Sequence, residues 1–279
     1  MLPPSSSCPV SEIQPFNNAL VSHETEPDYF IGASVALRDD QYLFFYGRIS
    51  GFYQINKRWS SVTGYGIQGI TYEDSLLSER EERLTHTVSQ QIRYSFTPNT
   101  TGRAEYRLKA TEFDSIDYDS MSHFALAGVD HRFSETTTGT VVAGAEFRDY
   151  DRNGRDSTSP HVEAALSHRL SDRTSFRWVA RASLEDNEIF GFNERYSYRT
   201  GVTVNHAITD KLRAMAGASY VFSEFEGDVF DSINEDTIAL QTGLAYRVVE
   251  NVDLRLSYYY TTNASDDENR VSLGATATF

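Results

Sequence analysis

The residues of this chain whose types and spacing could do chemistry are arginines that alternate with apolar side chains. Arg177 and Arg181 occupy one parity of a short segment, while Phe176, Trp178 and Ala180 occupy the other. Because residues two apart share a face of an extended strand, this segment carries guanidinium groups on one face and apolar groups on the other. Guanidinium groups bind anions through charge and directed hydrogen bonds. Such a strand indicates a surface that attracts anions and is backed by an apolar one.

The same parity recurs along the chain and predicts an aqueous lumen with a basic lining. The predicted lining residues are Arg48, Arg93, Arg103, Arg107, Lys109, Arg148, Arg177, Arg181, Arg199, Arg213, Arg247 and Arg255. Acids on the same inner parity are Glu105, Asp130, Glu146, Glu163 and Asp253. Two interpretations therefore stay open, a selective anion path and a lumen held together by ion pairs. The excess of basic residues favours the path.

Most other acids cluster between the alternating segments, where we expect the rim of the structure. These clusters lie at 73–82, 112–119, 185–188, 224–236 and 266–268. A solvated acidic rim is one interpretation, and a divalent-cation site that bridges lipopolysaccharide or neighbouring molecules is the other. No spacing here matches an EF-hand loop.

Catalysis and metal binding have weak support in the sequence. There is no Gly-x-Ser-x-Gly elbow. His131, His168 and His206 occupy a repeated position that is Tyr elsewhere, so we expect interfacial side chains rather than ligands. His86 and His123 have no partner at a metal-site spacing. We therefore predict no catalytic residues, no metal and no cofactor.

Composition narrows the class of protein. The net charge of -15 argues against nucleic acid as a partner, because phosphate binding needs a basic surface. Mean hydropathy is -0.46, and no apolar run has the length of a membrane helix. Strands that span a membrane show every second residue to lipid, so a polar average is compatible with them. The 17 Tyr and 17 Phe suit β structure with aromatic girdles.

A seven-residue motif repeats six times and sets the register of the chain. It reads an aromatic residue or His, any residue, an apolar residue, Ser or Thr, and then a two-residue turn. Its copies begin at Tyr53, Tyr94, His131, His168, His206 and Tyr246, 37 to 41 residues apart. Each unit therefore reads as one hairpin plus one loop.

The repeat predicts an all-β, transmembrane, antiparallel up-and-down β-barrel of about fourteen strands, with short periplasmic turns and longer extracellular loops. Residues 1–27 hold five of the seven prolines and predict a flexible N-terminal tail, so the barrel is assigned to 28–279. The predicted strands are 28–37, 42–55, 59–73, 83–97, 101–114, 120–134, 138–151, 159–171, 174–186, 195–209, 212–226, 236–249, 252–264 and 269–279.

The last segment, 270–279, alternates apolar and polar residues and ends on Phe279. It resembles the closing strand of bacterial outer-membrane barrels, and the repeated motif resembles that of the putative β-barrel porin-2 family over about 28–279. The resemblance implies a place in the outer membrane with its lipid and lipopolysaccharide, and a terminal Phe279 read by the assembly machinery. Such barrels are often associated with exopolysaccharide export. No signal peptide is visible in residues 1–20, so we expect a mature, truncated or wrongly started sequence.

These features predict a porin-like protein that passes small hydrophilic solutes, anionic ones such as acidic saccharides among them. A non-conducting accessory barrel for exopolysaccharide export or surface adhesion is the main alternative. A hydrolase with acids and a His at the barrel rim is the less favoured one.

Overall fold

The computed structural model is a single sheet of fourteen β-strands. It describes residues 14–24, 42–72, 82–114, 119–151, 156–185, 194–226, 233–263 and 267–277. The strands are β1 Gln14–Glu24, β2 Tyr42–Gln54, β3 Trp59–Tyr72, β4 Arg83–Thr97, β5 Thr100–Phe113, β6 Ser120–Arg132, β7 Thr137–Tyr150, β8 Asp156–Ser171, β9 Thr174–Glu185, β10 Glu194–Ala207, β11 Leu212–Glu226, β12 Ile233–Val249, β13 Val252–Thr262 and β14 Asp267–Ala277.

Each strand pairs antiparallel with its neighbours in sequence, in the order β1 to β14. Connections at one end of the sheet are two to four residues long, and those at the other end are four to seventeen residues long. This confirms the predicted fourteen-stranded, up-and-down fold with short turns at one end and longer loops at the other. Within the described ranges, no pairing joins β1 to β14. None of the described residues forms a helix long and apolar enough to cross a membrane.

The start of the sheet differs from the prediction. Residues Gln14–Glu24 form β1, and every residue of β1 pairs with β2. The prediction of a flexible tail over 1–27 is therefore wrong for this segment. Pro15 lies within β1, because a strand at the edge of a sheet tolerates a residue that lacks an N–H. The strand predicted at 28–37 and its seal against the last strand lie outside the described residues, as does Phe279.

The repeated motif is a docking unit between consecutive hairpins. Its seventh residue always lies opposite the first residue of the next copy. The pairs are Trp59 and Tyr94, Thr100 and His131, Thr137 and His168, Thr174 and His206, and Leu212 and Tyr246. From the second copy onward, the backbone N–H of the second motif residue also donates to the carbonyl oxygen of the sixth residue of the preceding copy, as Arg132 does to Asn99 at 2.8 Å.

The fourth position explains why the motif needs Ser, Thr or Asn. Its side-chain oxygen accepts a hydrogen bond from the backbone N–H two residues later, which closes the turn. Asn56 accepts from Arg58 at 2.9 Å, and Thr97 accepts from Asn99 at 3.2 Å. The sixth copy has Val249 here and cannot make this bond. The tight turns are therefore encoded locally.

The two faces of the sheet have opposite character. The third residues of the motif, which lie on the outer face, are 43 to 65% exposed although all are large and apolar; they are Ile55, Phe96, Phe133, Leu170, Ile208 and Val248. On the inner face, buried residues are mostly polar, and a small apolar cluster joins Phe124, Leu126 and Val142. An apolar exterior around a polar interior is the arrangement that a bilayer requires of a spanning sheet.

Candidate functional site: the inner face of the barrel

The inner face is concave, because side chains on it meet across intervening strands. Arg107 Nη1 on β5 lies 3.3 Å from Glu163 Oε1 on β8, although β6 and β7 separate the two strands. Arg213 Nη2 on β11 lies 2.6 Å from Asp253 Oδ2 on β13. Phe124 and Leu126 break the polar pattern of this face and are buried there at 3 and 4% exposure. No register shift occurs at β6, so they mark a filled wall rather than a bulge.

The twelve basic residues singled out in the sequence all lie on this face, and the eleven arginines among them divide into two groups. The first group is held by carboxylates. Its ion pairs are Arg93 and Arg103 with Asp130, Arg107 with Glu105 and Glu163, Arg148 with Glu146, Arg199 with Glu185, and Arg213 and Arg247 with Asp253. Five inner carboxylates expected from the sequence therefore take part in pairs.

The second group is exposed. Arg48, Arg177, Arg181 and Arg255 are exposed side chains, and no carboxylate of the described part of the chain lies within 4.0 Å of them. Lys109 has intermediate exposure and lies between Thr87 and Ser122 in register. The inner face thus combines a neutralised framework with fixed positive charges that water can reach.

The ion pairs near the long loops are the most deeply buried. Arg148 Nη2 donates to Glu146 Oε1 at 2.7 Å, and the two side chains are 2 and 0% exposed. Arg195 Nη2 lies 2.6 Å from Glu185 Oε2, and Arg199 binds the same oxygen. Glu185 was expected in the solvated acidic rim, and that expectation is wrong because its side chain turns inward between two arginines. Around these pairs the inner wall is built from small residues, among them Ser183, Ser197 and Ser223 with no exposure.

One inner residue was missed by the sequence analysis. His161 is fully buried, its Nε2 lies 2.8 Å from Glu163 Oε1, and its ring packs edge-on against Phe124 with 5.2 Å between centroids. The available signal was parity, because His161 lies two residues before Glu163 on the same face. The contact between the rings of His161 and Phe124 could not be predicted from the sequence, since Phe124 belongs to another strand.

His86, His123 and the three motif histidines lie on the outer face, where the motif histidines were expected. In three consecutive hairpins the motif His binds the Thr opposite it through Nδ1. These bonds are Thr100 to His131 at 2.8 Å, Thr137 to His168 at 2.7 Å and Thr174 to His206 at 2.9 Å. Near the long loops, His86 and His123 are each bound by a tyrosine hydroxyl, at 2.8 and 2.7 Å. Their hydrogen bonds give these side chains a structural role at both edges of the apolar belt.

A cavity of about 350 Å³ opens on the inner face between the strands β2 to β6 and the facing strands β8 and β9. Small residues of β3 and β4 form its floor, where Gly66 lies opposite Thr87 and Gly64 opposite Ser89. Arg48 borders the floor on β2. This cavity could not be predicted from the sequence, because its walls come from strands far apart in the chain.

An apolar exterior, a polar concave interior and an up-and-down sheet with unequal ends define an outer-membrane β-barrel. Solved structures share this fold. The loop L8 deletion mutant of OmpT, an outer membrane protein of Vibrio cholerae, aligns over 96% of this chain and 99% of its own, at 12% identity and a TM-score of 0.51. The FrpB iron transporter of Neisseria meningitidis (F5-1 variant) aligns over 90% of this chain and 50% of its own, at 7% identity and a TM-score of 0.54.

At these identities the structural matches show the fold alone. The family model described as putative beta-barrel porin 2 matches residues 22–279, and the chain belongs to that family. No curated protein sequence matches the chain.

Proposed function

We propose that this barrel passes small hydrophilic solutes across the bacterial outer membrane and favours anions. The observation that carries the proposal is the exposed group of inner arginines, Arg48, Arg177, Arg181 and Arg255, which form no ion pair within 4.0 Å with any described carboxylate. Fixed positive charges in a narrow, water-filled path raise the local concentration of anions and lower that of cations. Membership of a porin family supports passage rather than catalysis, so no enzymatic role is included.

The outer surface fits a place in the same membrane. Its apolar side chains would contact lipid, and the rim would meet lipopolysaccharide. Phe279, at the end of the last alternating segment, would serve as the signal that the assembly machinery reads. Acidic saccharides are the solute class that we favour, because they combine a carboxylate with a hydrophilic body.

The experiment is a bilayer recording from the folded full-length protein. We expect a stable open current in planar lipid bilayers, and a reversal potential in a salt gradient that indicates preference for anions. Preference for cations in a conducting channel would remove the anion part of the proposal.

A non-conducting accessory barrel, in support of exopolysaccharide export or adhesion, remains a second candidate. The buried pairs of Arg148 with Glu146 and Arg195 with Glu185 favour it, because they fill part of the interior near the long loops. Absence of current from a protein shown to be folded would favour this role.

A further inference from the structure

The cavity at β2 to β6 has the chemistry of a binding site. Its floor is open because Gly64 and Gly66, two positions apart on the same face of β3, have no side chains to fill it. An added Cβ at Gly64 would come 2.8 Å from Ser89 Oγ and 3.8 Å from Arg48 Nη2, so a hydroxyl and a guanidinium group lie directly over this floor. A side chain at this position would fill the space that a solute could use.

The charge of the cavity is positive even after its own acids are counted. The ionisable residues that line it are Arg48, Arg83, Arg107, Lys109, Arg181, Glu163 and Glu185. Both carboxylates are already bound by arginines, Glu163 by Arg107 at 3.3 Å and Glu185 by Arg195 at 2.6 Å. Arg48 and Arg181 have no such ion pair within the described residues. A solute carboxylate would therefore meet guanidinium groups that no protein carboxylate occupies.

The uncharged part of the lining suits a polyol. The hydroxyls of Thr87 and Ser89 line the floor and make no side-chain hydrogen bond within the part of the chain that the structure describes. Phe124 closes one side of the cavity as a buried wall, with the Arg107 guanidinium carbon 5.4 Å from its ring centroid. Hydroxyl partners at the floor beside guanidinium groups suit a solute that carries both hydroxyls and a negative charge.

We infer that this cavity binds a small sugar acid, a ring with several hydroxyls and one carboxylate. Arg48 and Arg181 would bind the carboxylate, and Thr87 and Ser89 would bind ring hydroxyls. The volume of about 350 Å³ lies near the lower end of small-molecule sites, about 300–1,000 Å³, which suits one or two sugar units rather than a polymer. The inference rests on the proposed function, because it names the solute that the barrel would hold during passage.

Calorimetry on the full chain folded in detergent tests the site without requiring conduction. We expect D-glucuronate to bind with one-to-one stoichiometry, and glucose and acetate to bind much more weakly because each lacks half of the contacts. Arg48→Gln should weaken glucuronate binding about tenfold, the usual effect of losing a charged hydrogen bond. Arg177→Gln is the matched control, since Arg177 is also an exposed inner arginine but does not line the cavity. Thr87→Val should weaken glucuronate binding and leave acetate unchanged.

Several outcomes would overturn the site. Equal weakening by Arg48→Gln and Arg177→Gln would show general attraction of anions, and acetate binding as tight as glucuronate would show that the hydroxyls are not recognised. A folded protein that conducts but binds no glucuronate would remove the site and leave the proposed passage intact. Binding by a folded protein that carries no current would support the site and remove passage. Migration of the unheated protein on a gel verifies that each variant is folded.

Discussion

Glu163 on β8 lies directly opposite Arg181 on β9, but its carboxylate binds two other side chains. Arg107 Nη1 lies 3.3 Å and His161 Nε2 lies 2.8 Å from Glu163 Oε1. On its other side Arg181 faces Arg199, a like charge. Arg181 is therefore left exposed because the curvature of the sheet gives its natural partner to a strand three places away.

This arrangement predicts which arginines set ion selectivity. Replacing Arg177, Arg181 and Arg255 together by Gln removes three exposed positive charges and leaves every described carboxylate with its partner. We expect the reversal potential in a salt gradient to shift toward cations, most strongly at low ionic strength where screening is weak. Planar bilayer recordings measure the shift.

Arg93→Gln combined with Asp130→Asn forms the matched control for selectivity. It removes one positive and one negative charge of an inner ion pair, so the net charge of the inner face stays the same. The control should leave the reversal potential close to that of the unaltered protein. An unchanged reversal potential in a folded, conducting triple variant would leave a general pore without an anion path.

The buried carboxylate of Glu185 should be critical for stability. Its side chain is 7% exposed and holds Arg195 and Arg199, which are 3 and 14% exposed. Glu185→Gln removes the carboxylate charge that both guanidinium groups bind, and removal of one partner of a buried ion pair costs about 3–5 kcal/mol. We expect a marked fall in the unfolding temperature. The difference in gel migration between folded and heated protein measures that temperature.

Asp253→Asn gives the comparison for that stability test. Arg213 in this pair is 49% exposed, so water replaces much of what the carboxylate provides. Exposed pairs contribute roughly 0–1 kcal/mol, and we expect a correspondingly small fall in unfolding temperature. A similar fall in unfolding temperature in the two variants would contradict the conclusion that Glu185 is a buried carboxylate on which stability depends.

The repeated turns and the hydrophobic parity could be predicted from the sequence, because they depend on residues within one hairpin. Thr97 and Asn99, for example, form their turn whatever lies across the barrel. The partners on the inner face could not be predicted in the same way. Arg107 meets Glu163 because the sheet curves, and curvature depends on all the strands between them.

The loop asymmetry predicts the orientation of the barrel in the membrane. In a Cys8→Ser background, cysteines placed at Ser232 and Asp267, beside the long loops, should react with an impermeant thiol reagent on intact cells. Cysteines at Asp172 and Asp210, in or next to tight turns, should not react until the cells are opened. Reversed labelling would place the tight turns at the cell surface.

Substitution of Phe279 should cause a defect in assembly. Phe279→Asp places a charge at the end of the apolar alternation that we expect to face lipid, and charges there are costly. We expect unfolded protein to accumulate in the periplasm, with loss of the band that migrates faster before heating. Normal amounts of folded protein from this variant would show that Phe279 is not the assembly signal.

The shared register of consecutive hairpins has a consequence for how the barrel could change size. Each hairpin docks onto the previous one through the same contact, as Trp59 meets Tyr94 and Leu212 meets Tyr246. Duplication or loss of one whole unit would leave every remaining junction unaltered. Each event would change the circumference by about two strand spacings, roughly 10 Å, so ancestral barrels could have widened or narrowed in discrete steps without redesign of any joint.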